Sequence, residues 1–596
     1  MKKLFSHFRG DLFGGLTAGI VALPLALAFG VQSGLGATAG IYGALFIGFF
    51  AAWFGGTPTQ ISGPTAPMTA VSMGVIAGIV ATMEGDLEKA LPIILAVFLL
   101  AGLIQIVMGL LKFGVYVKYI PYPVVSGFMT GIGVIILITQ IFSLVGYVPK
   151  NDQSLIESFK PRAEEAILEK ILVNEVNEGL LVLEDFKETV IKAEKTTENE
   201  IYLEAETQLK RDTSGVLGSL KYLSRALKQI DVLNLILAAL TILIIYSFKR
   251  VTKKIPSTLV ALILVTSLAY FSGWDYRSIS DIPRGFPVPQ WGIFTDIKIL
   301  IILPYIGAAF MLAALGAIDS LLTSVVADNM TKTRHNPNKE LIGQGIGNGV
   351  AALFGGIPGA GATIRTVVNI QSGGKTKLSG AIAAIFLLLV VLFVGPFAEK
   401  IPMAVLAGIL FTVGISVMDF KGLRSLTSIP YTDAIVMILV LLLTVFWDLI
   451  FAVGIGLILS SLFFMAKIAD ITTDKINLKE PKNESNAETS ILIKTIVGPI
   501  FFGAVSGLIE VSRKLPDTVK VLCVDLSEVP YIDQSGLFAL EGIFFGLNES
   551  GIEVRLIGLN SELAHRFNDL MIVPNIVSAD LIFDDIDSAV AHKTLS

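Results

Sequence analysis

Residues 355–374, GGIPGAGATIRTVVNIQSGG, carry one arginine in a stretch otherwise apolar enough for a membrane. A cation at the bilayer centre costs at least ~2.5 kcal/mol, so Arg365 belongs either to a site or to an ion pair. The glycines and Pro358 interrupt the run, whereas a spanning helix needs about 20 consecutive apolar residues. Irregular backbone survives at membrane depth where it is buried in protein or lines a polar cavity. A loop over Gly359–Gly361 that opens into a short helix near Ala362 leaves unpaired N–H groups at the helix's positive end. With the charge of Arg365 added, Ala362 and Thr363 describe an anion site.

Two further stretches offer matching chemistry. In ISGPTAPMT (61–69), Pro64 suits the first turn of a helix, and Thr65 and Thr69 place hydroxyls one turn apart around Ala66. If this helix and the one carrying Arg365 are symmetry mates, their N-termini point at one another and flank one anion. Taken alone, the stretch is equally an ordinary helix start. In GAIDSLLTSVVAD (316–328), Asp319 and Thr323 lie one turn apart on one helix face. A buried carboxylate pairs with a cation or takes a proton. Asp319 therefore forms a structural salt bridge to Arg365, or it holds a coupling cation, Na⁺ or H⁺, with Thr323. Asp328, nearer the cytoplasmic end, is expected to be solvated.

The elements that must position these residues are hydrophobic. Of the 596 residues 53% are hydrophobic and only 16% charged, with a mean hydropathy of +0.73, which describes a polytopic membrane protein with a soluble appendage. A net charge of −5 gives no reason to expect nucleic acid, the single Cys523 excludes an internal disulfide, and His7, His335, His565 and His592 do not cluster as zinc ligands would. The apolar run after Lys2, Lys3 and Arg9 continues to Phe29 without a small-residue cleavage site, so it reads as a retained helix.

Fourteen apolar segments follow, near 12–30, 38–54, 64–80, 91–111, 122–146, 231–248, 257–271, 299–327, 341–354, 361–371, 379–394, 402–417, 432–447 and 449–466. The two broken ones are the third and the tenth. Interrupted segments at matching places in two halves indicate an inverted repeat with a midplane site. Basic residues (Lys2/Lys3/Arg9, Lys112/Lys118, Lys249/Arg250/Lys253/Lys254, Lys332/Arg334/Lys339, Lys375/Lys377, Lys421/Arg424) fall on alternate loops, while Glu84, Asp86 and Glu88 fall on the other side. Both termini are then cytoplasmic.

The organisation is a first membrane part at 1–149, an insert at 150–228, a second membrane part at 229–469, a linker at 470–489 and a small α/β domain at 490–596. The insert is rich in Glu and Lys, with Ile167, Ile171, Val176, Leu180 and Leu183 at helical spacing. It reads as two or three amphipathic extracytoplasmic helices: a solvated excursion, or else a cap or dimer contact. The last domain alternates strand and helix: 491–496, 505–514, 519–526, 536–550, 553–558, 562–570 and a strand near 576–581. Ser535, beside Gly536 at a strand-to-helix turn, is a phosphorylation site or a helix N-cap, the cap being favoured.

Together ISGPTAPMT, GAIDSLLTSVVAD, HNPNKELIGQGIGN and GAGATIRTVVNIQSGG resemble the sulfate-permease (SulP) family of anion transporters, and DLSEVPYIDQSGLFAL resembles its C-terminal STAS domain. The resemblance covers the chain except the 150–228 insert. It implies an α-helical polytopic fold with 14 transmembrane segments as a seven-plus-seven inverted repeat, with core and gate domains and a cytoplasmic STAS domain. It also implies an anion between the third and tenth helices, elevator-like movement, a homodimer through the STAS and membrane domains, and a bacterial inner-membrane location. Within the family the chain is most similar to cyanobacterial Na⁺-dependent bicarbonate transporters. Carried over, the Na⁺ ligands are Asp319, Thr323, Gly361, Ala362 and Thr363, and Thr65 faces the anion, so that the anion set is Thr65, Ala66, Thr69, Ala362, Thr363 and Arg365. That branch lacks an arginine where Arg365 stands, and other members of the family carry one.

The chain has no G-x-x-x-x-G-K-[ST] phosphate loop, so nothing argues for nucleotide hydrolysis or any other enzyme activity. The expected function is secondary transport of small inorganic anions, bicarbonate with Na⁺ first. The alternatives are sulfate by H⁺ symport or exchange and an uncoupled chloride pathway. An anion channel, a scaffold signalling through STAS, and a nucleobase or dicarboxylate carrier are rivals. Arg365 argues against the nucleobase.

Overall fold

A computed structural model describes residues 7–83, 85–177, 198–213, 215–251, 256–279, 285–295, 299–447, 449–474, 477–479, 490–513, 515–516 and 518–592. Among the residues singled out above, Lys2, Lys3, Glu84, Leu180, Leu183, Lys253 and Lys254 lie outside these, as do the side chains of Lys118, Ile171 and Val176.

All fourteen apolar segments form helices, numbered here α1 (Phe8–Ser33), α2 (Ala37–Phe54), α3 (Ala66–Thr82), α4 (Leu87–Leu110), α5 (Tyr122–Val145), α6 (Val232–Val251), α7 (Ser257–Phe271), α8 (Ile306–Thr331), α9 (Pro337–Leu353), α10 (Thr363–Gln371), α11 (Lys377–Ala398), α12 (Met403–Val417), α13 (Tyr431–Phe446) and α14 (Leu449–Asp474). Among the described residues, seven helical stretches are long and apolar enough to cross a membrane. The tenth helix is short, nine residues, as its glycines and proline dictate, and the third begins only after the broken stretch at 61–65.

The helices associate as two bundles. In one, α1–α4 pack with α8–α11; in the other, α5, α6, α7, α12 and α13 pack together. Lipid supplies no hydrophobic drive for helix pairing, so close backbone approach must do so. At the crossing of α4 and α9, a Cβ on Gly345 would collide with the backbone of Gly102.

Residues 150–228 form helices at Gln153–Asn177, Glu198–Asp212, Gly215–Lys221 and Leu223–Ala226. Their shared core is Leu155, Ile156, Phe159 and Ala163 against Ala205 and Leu209, while Ile167 is half-buried. A clasp holds the ends of the insert together. Asp152 accepts from Arg225 at 2.6 and 2.9 Å and from Tyr147 at 3.0 Å. Arg225 holds its carboxyl well below the usual carboxylate range.

The chain divides into two compact units, Met1–Leu457 and Ile458–Ser596. The linker expected at 470–489 does not begin at 470: α14 continues to Asp474, and Asn477–Lys479 is a strand, β3. Polar composition marks exposure and does not end a helix. In the second unit β3 pairs antiparallel with β4 (Ser490–Thr495), and β4, β5 (Val519–Asp525), β6 (Glu553–Ile557) and β7 (Ile582–Phe583) follow in parallel. The last strand lies beyond the expected 576–581. Apolar Ile572, Val573 and Val577 are buried in the core around a short kinked turn in which Val573 is itself extended, so burial there does not make a strand of the sheet. The cap before Gly536 is Asp533, whose carboxylate accepts from the Gly536 N–H at 2.7 Å. Ser535 is therefore not the cap: it sits exposed one residue inside the helix Gln534–Glu549.

Candidate functional site

The loops that precede the two short helices pair with each other. Strand β1 (Ser62–Gly63) runs antiparallel to β2 (Ala360–Gly361), with Ser62 opposite Gly361 and Gly63 opposite Ala360. Two-residue strands suffice to satisfy backbone that a lipid interior would otherwise strand. The pairing sets the starts of α3 and α10 side by side. Thr65 caps α3 and Ala362 caps α10, both from extended backbone and neither with a side-chain bond. Pro67, not Pro64, occupies the first turn of α3; Pro64 lies before the cap. Ala66, Ala362 and Thr363 thus present helix-terminal backbone, where anions are favoured.

Arg365 is 1% exposed. Its Nη2 donates to the Pro64 carbonyl at 2.7 Å, while Nε and Nη1 have no hydrogen-bond partner among the described residues. The guanidinium lies under Gly63: a Cβ there would approach Nη1 to 2.6 Å, and Gly63 also has φ of +151°. Glycine is therefore required on both counts. A buried guanidinium with two free donors is a costly arrangement unless something else accepts from them.

The carboxylate is placed by α8. Asp319, half-buried, accepts a hydrogen bond from the Thr65 hydroxyl at 2.7 Å. The salt bridge to Arg365 is not formed; the acid turns to Thr65 and the base to the Pro64 carbonyl. One turn further, Thr323 donates to the Gly361 carbonyl at 2.9 Å and its Oγ1 lies 2.7 Å from that of Thr363. Four of the five residues carried over as cation ligands thus supply an oxygen at this meeting of α8, β2 and α10. Ala362, the fifth, adds its backbone. Carboxylate, hydroxyl and carbonyl oxygens are the hard donors an alkali cation takes, and unwound carbonyls beside half-helices serve that purpose in transporters. Asp319 also borders a pocket of about 20 Å³, room for one water, against Phe128 and Met129 of α5.

Thr69 is fully buried and its hydroxyl has no partner. No hydrogen bond joins it to Asp319 or Arg365. Asp328 stays partly exposed and is also tied down: it accepts from the backbone N–H of His335 at 2.9 Å and lies 2.7 Å from that residue's Nδ1, holding the α8–α9 turn. A short polar turn can close on its own carboxylate, which position in the chain does not reveal.

Sequence reasoning missed the residues beneath the site. Glu340 of α9 is 1% exposed. Its Oε2 accepts from the N–H groups of Gly56 and Thr57, each at 2.8 Å, and its Oε1 from the side-chain amides of Gln60 and Gln344, each at 2.9 Å. Gln344 also donates to Ser62 in β1 at 2.6 Å, Ser320 accepts from the Gly361 N–H at 3.0 Å, and Thr366 accepts from that of Ile61 at 3.0 Å. Asn348 brackets Gly359, donating to its carbonyl at 3.1 Å and accepting from its N–H at 2.8 Å. A signal was present: Glu340, Gln344 and Asn348 recur every four residues, a polar stripe on an otherwise apolar helix.

The sulfate permease family pattern matches residues 8–166 and 203–440, and the STAS domain pattern matches 483–589. The bicarbonate transporter BicA of Synechocystis sp. is 37% identical over 99% of this chain and 95% of its own length. The solved transmembrane domain of a cyanobacterium bicarbonate transporter BicA is 41% identical, covers 76% of this chain and 98% of its own, and superposes with a TM-score of 0.60. The overall structure of SLC26A9, 17% identical over 99% of this chain and 90% of its own, shares the fold at a TM-score of 0.74. The chain is a polytopic membrane protein of the sulfate permease family with a C-terminal STAS domain.

Proposed function

We propose that the protein is a secondary carrier of small inorganic anions, that bicarbonate is its substrate, and that Na⁺ drives it. One observation carries the reading: the β1–β2 pairing brings two helix N-termini, the Arg365 guanidinium and the Asp319–Thr65 pair to one place. The anion rests on the helix ends, with Thr65 and Arg365 donating. Na⁺ is held by Asp319, Thr323, Thr363 and the Gly361 carbonyl. Opposite charges in one cavity stabilise each other, and that mutual term is the coupling. The relatives named for bicarbonate, similar over nearly the full chain, support the choice of anion.

The antiparallel pairing of β1 with β2, seven helices apart, supports a seven-plus-seven inverted repeat, and the two helix bundles support a core that moves against a gate. Cytoplasmic termini in a bacterial inner membrane, an extracytoplasmic insert and a homodimer complete the proposal.

A second reading has its own observation. The buried guanidinium of Arg365, with Nε and Nη1 unpaired among the described residues, is a full charge that suits sulfate, carried with H⁺ or by exchange, without a cation. Uptake into liposomes by purified protein, with anion and cation varied independently, separates the two. Saturable bicarbonate flux that rises with a Na⁺ gradient at fixed pH and voltage is the expected result. Flux indifferent to Na⁺ removes symport, and preference for sulfate removes bicarbonate.

A further inference from the structure

The carboxylate of the proposed cation site and the hydroxyl of the proposed anion site share one proton. Thr65 donates to Asp319 Oδ2 at 2.7 Å. A threonine hydroxyl has a single proton and two lone pairs. Thr65 makes no side-chain bond to the helix it caps, so its proton is committed to Asp319. An anion approaching the start of α3 in this state meets hydroxyl lone pairs beside a carboxylate, and both repel it.

We propose that Thr65 is the coupling residue: Na⁺ binding at Asp319 releases the Thr65 proton to the anion, so that Na⁺ binds first. This rests on the Na⁺–bicarbonate reading above. The oxygens of Thr323, Thr363 and Gly361 already meet on the same side of α8 as Asp319. A cation held between them and the carboxylate draws off the electron density that makes Oδ2 the best acceptor near Thr65. The anion then becomes the best acceptor, and the hydroxyl rotates to it at no backbone cost. Charge-assisted hydrogen bonds are about twice as strong as neutral ones, so the hand-over exchanges one strong bond for another.

Arg365 plays a different part. Its Nη2 is held by the Pro64 carbonyl and its free Nε and Nη1 do not touch Asp319. It raises anion affinity whether or not Na⁺ is present. Beyond the direct attraction of the two ions, the conditional share of affinity belongs to Thr65 and the unconditional share to Arg365.

The test uses purified full-length protein and the shift of its thermal unfolding midpoint, which rises with ligand bound to the folded state. Bicarbonate is titrated in sodium gluconate and in choline gluconate, and Na⁺ is titrated alone. Wild type is expected to bind Na⁺ without bicarbonate, and to bind bicarbonate about tenfold or more tighter in Na⁺ than in choline, the worth of one hydrogen bond to a charged group. Thr65→Ser keeps both behaviours. Thr65→Val keeps the response to Na⁺ alone but loses most of the difference in bicarbonate affinity between the two salts, keeping only the direct attraction between the ions. Arg365→Gln weakens bicarbonate in both salts and keeps their ratio. A Thr65→Val protein with the wild-type ratio overturns the hand-over, and so does one that no longer responds to Na⁺ alone. Tight bicarbonate binding by wild type in choline, with Na⁺ binding intact, overturns the order without any variant. Wild type with no response to Na⁺ at all removes the symport reading itself, and the proposal with it.

Discussion

The polar groups of the stretch at 53–62 and those around the start of the helix it feeds meet opposite treatment. In the loop, Lys377 donates to the carbonyls of Trp53 and Gly55 at 2.9 and 2.6 Å, and Asn369 to that of Thr59 at 2.8 Å. Glu340 receives the N–H groups of Gly56 and Thr57, and Thr366 that of Ile61. The Gly55–Gly56 peptide lies between opposite charges, with its carbonyl on Lys377 and its N–H on Glu340. A few residues on, Thr69 has a hydroxyl with no partner among the described residues; beside the start of the same helix, Arg365 of α10 likewise keeps Nε and Nη1 unpaired, and Asp319 of α8 has Thr65 as its hydrogen-bond partner. Backbone groups met this closely specify one geometry, although Gln344 Oε1 and Asn369 Oδ1 beside them have no partner among the described residues; unpaired donors at the helix starts are where an anion is still owed its bonds. The loop is scaffold and the half-helix is site, though both lie in one stretch of chain.

Breaking the scaffold gives the largest effect. All four partners of Glu340 are donors, so only an ionised carboxylate fits. In Glu340→Gln, whichever way the amide turns, its NH₂ faces two further donors. Leaving buried donors unpaired costs about 1–3 kcal/mol each, so this variant loses both its thermal transition and its uptake. Wild-type melting by Glu340→Gln breaks the contrast drawn here.

Next comes Asp319→Asn. The amide oxygen still accepts from Thr65, so folding survives within about 1 kcal/mol. Stimulation of uptake by Na⁺ is abolished, and anion affinity falls with it because linkage is reciprocal. A variant that keeps Na⁺ stimulation in liposomes assigns the cation elsewhere.

Arg365→Gln discriminates further. Its lost donors are mostly unpaired in the folded protein, so the unfolding midpoint holds while the KM for anion rises about tenfold, the share of one charged contact. A large loss of stability with unchanged KM turns Arg365 into scaffold.

The insert sharpens the comparison from outside the membrane. Arg225 depresses the pKa of Asp152, so the clasp's contribution is present above the unfolded value of about 3.9 and is lost as pH falls through the folded value. Asp152→Asn is expected to lower the protection of 153–177 and 198–213 from hydrogen exchange at neutral pH and to leave uptake unchanged. Replacing 150–228 by a short Gly/Ser loop has the smallest effect, with uptake within about twofold of wild type. Loss of transport in the inserted protein makes these helices more than an excursion.

Hydropathy alone located all fourteen helices, because bilayer thickness sets a length that composition must meet. The breaks in α3 and α10 showed equally early, since glycine and proline act on their own backbone. Arg365, Asp319, Thr323 and Thr65 stood out because polar groups in apolar runs are costly wherever they point. Their partners were another matter. Whether Asp319 meets Arg365 or Thr65 turns on a carbonyl at Pro64 and a two-residue pairing across some 300 residues of chain, which no local pattern encodes. Ser535 was taken for a cap two residues after the true one, Asp533, because both residue types cap and only backbone geometry chooses. Glu340 was passed over because its hydrogen-bonding groups arrive from residues 56, 57, 60 and 344. Sequence specifies which groups need partners, since that cost belongs to the residue. The partner itself is decided by the tertiary structure, since a hydrogen bond exists only at about 3 Å and most of that distance is set by the rest of the chain.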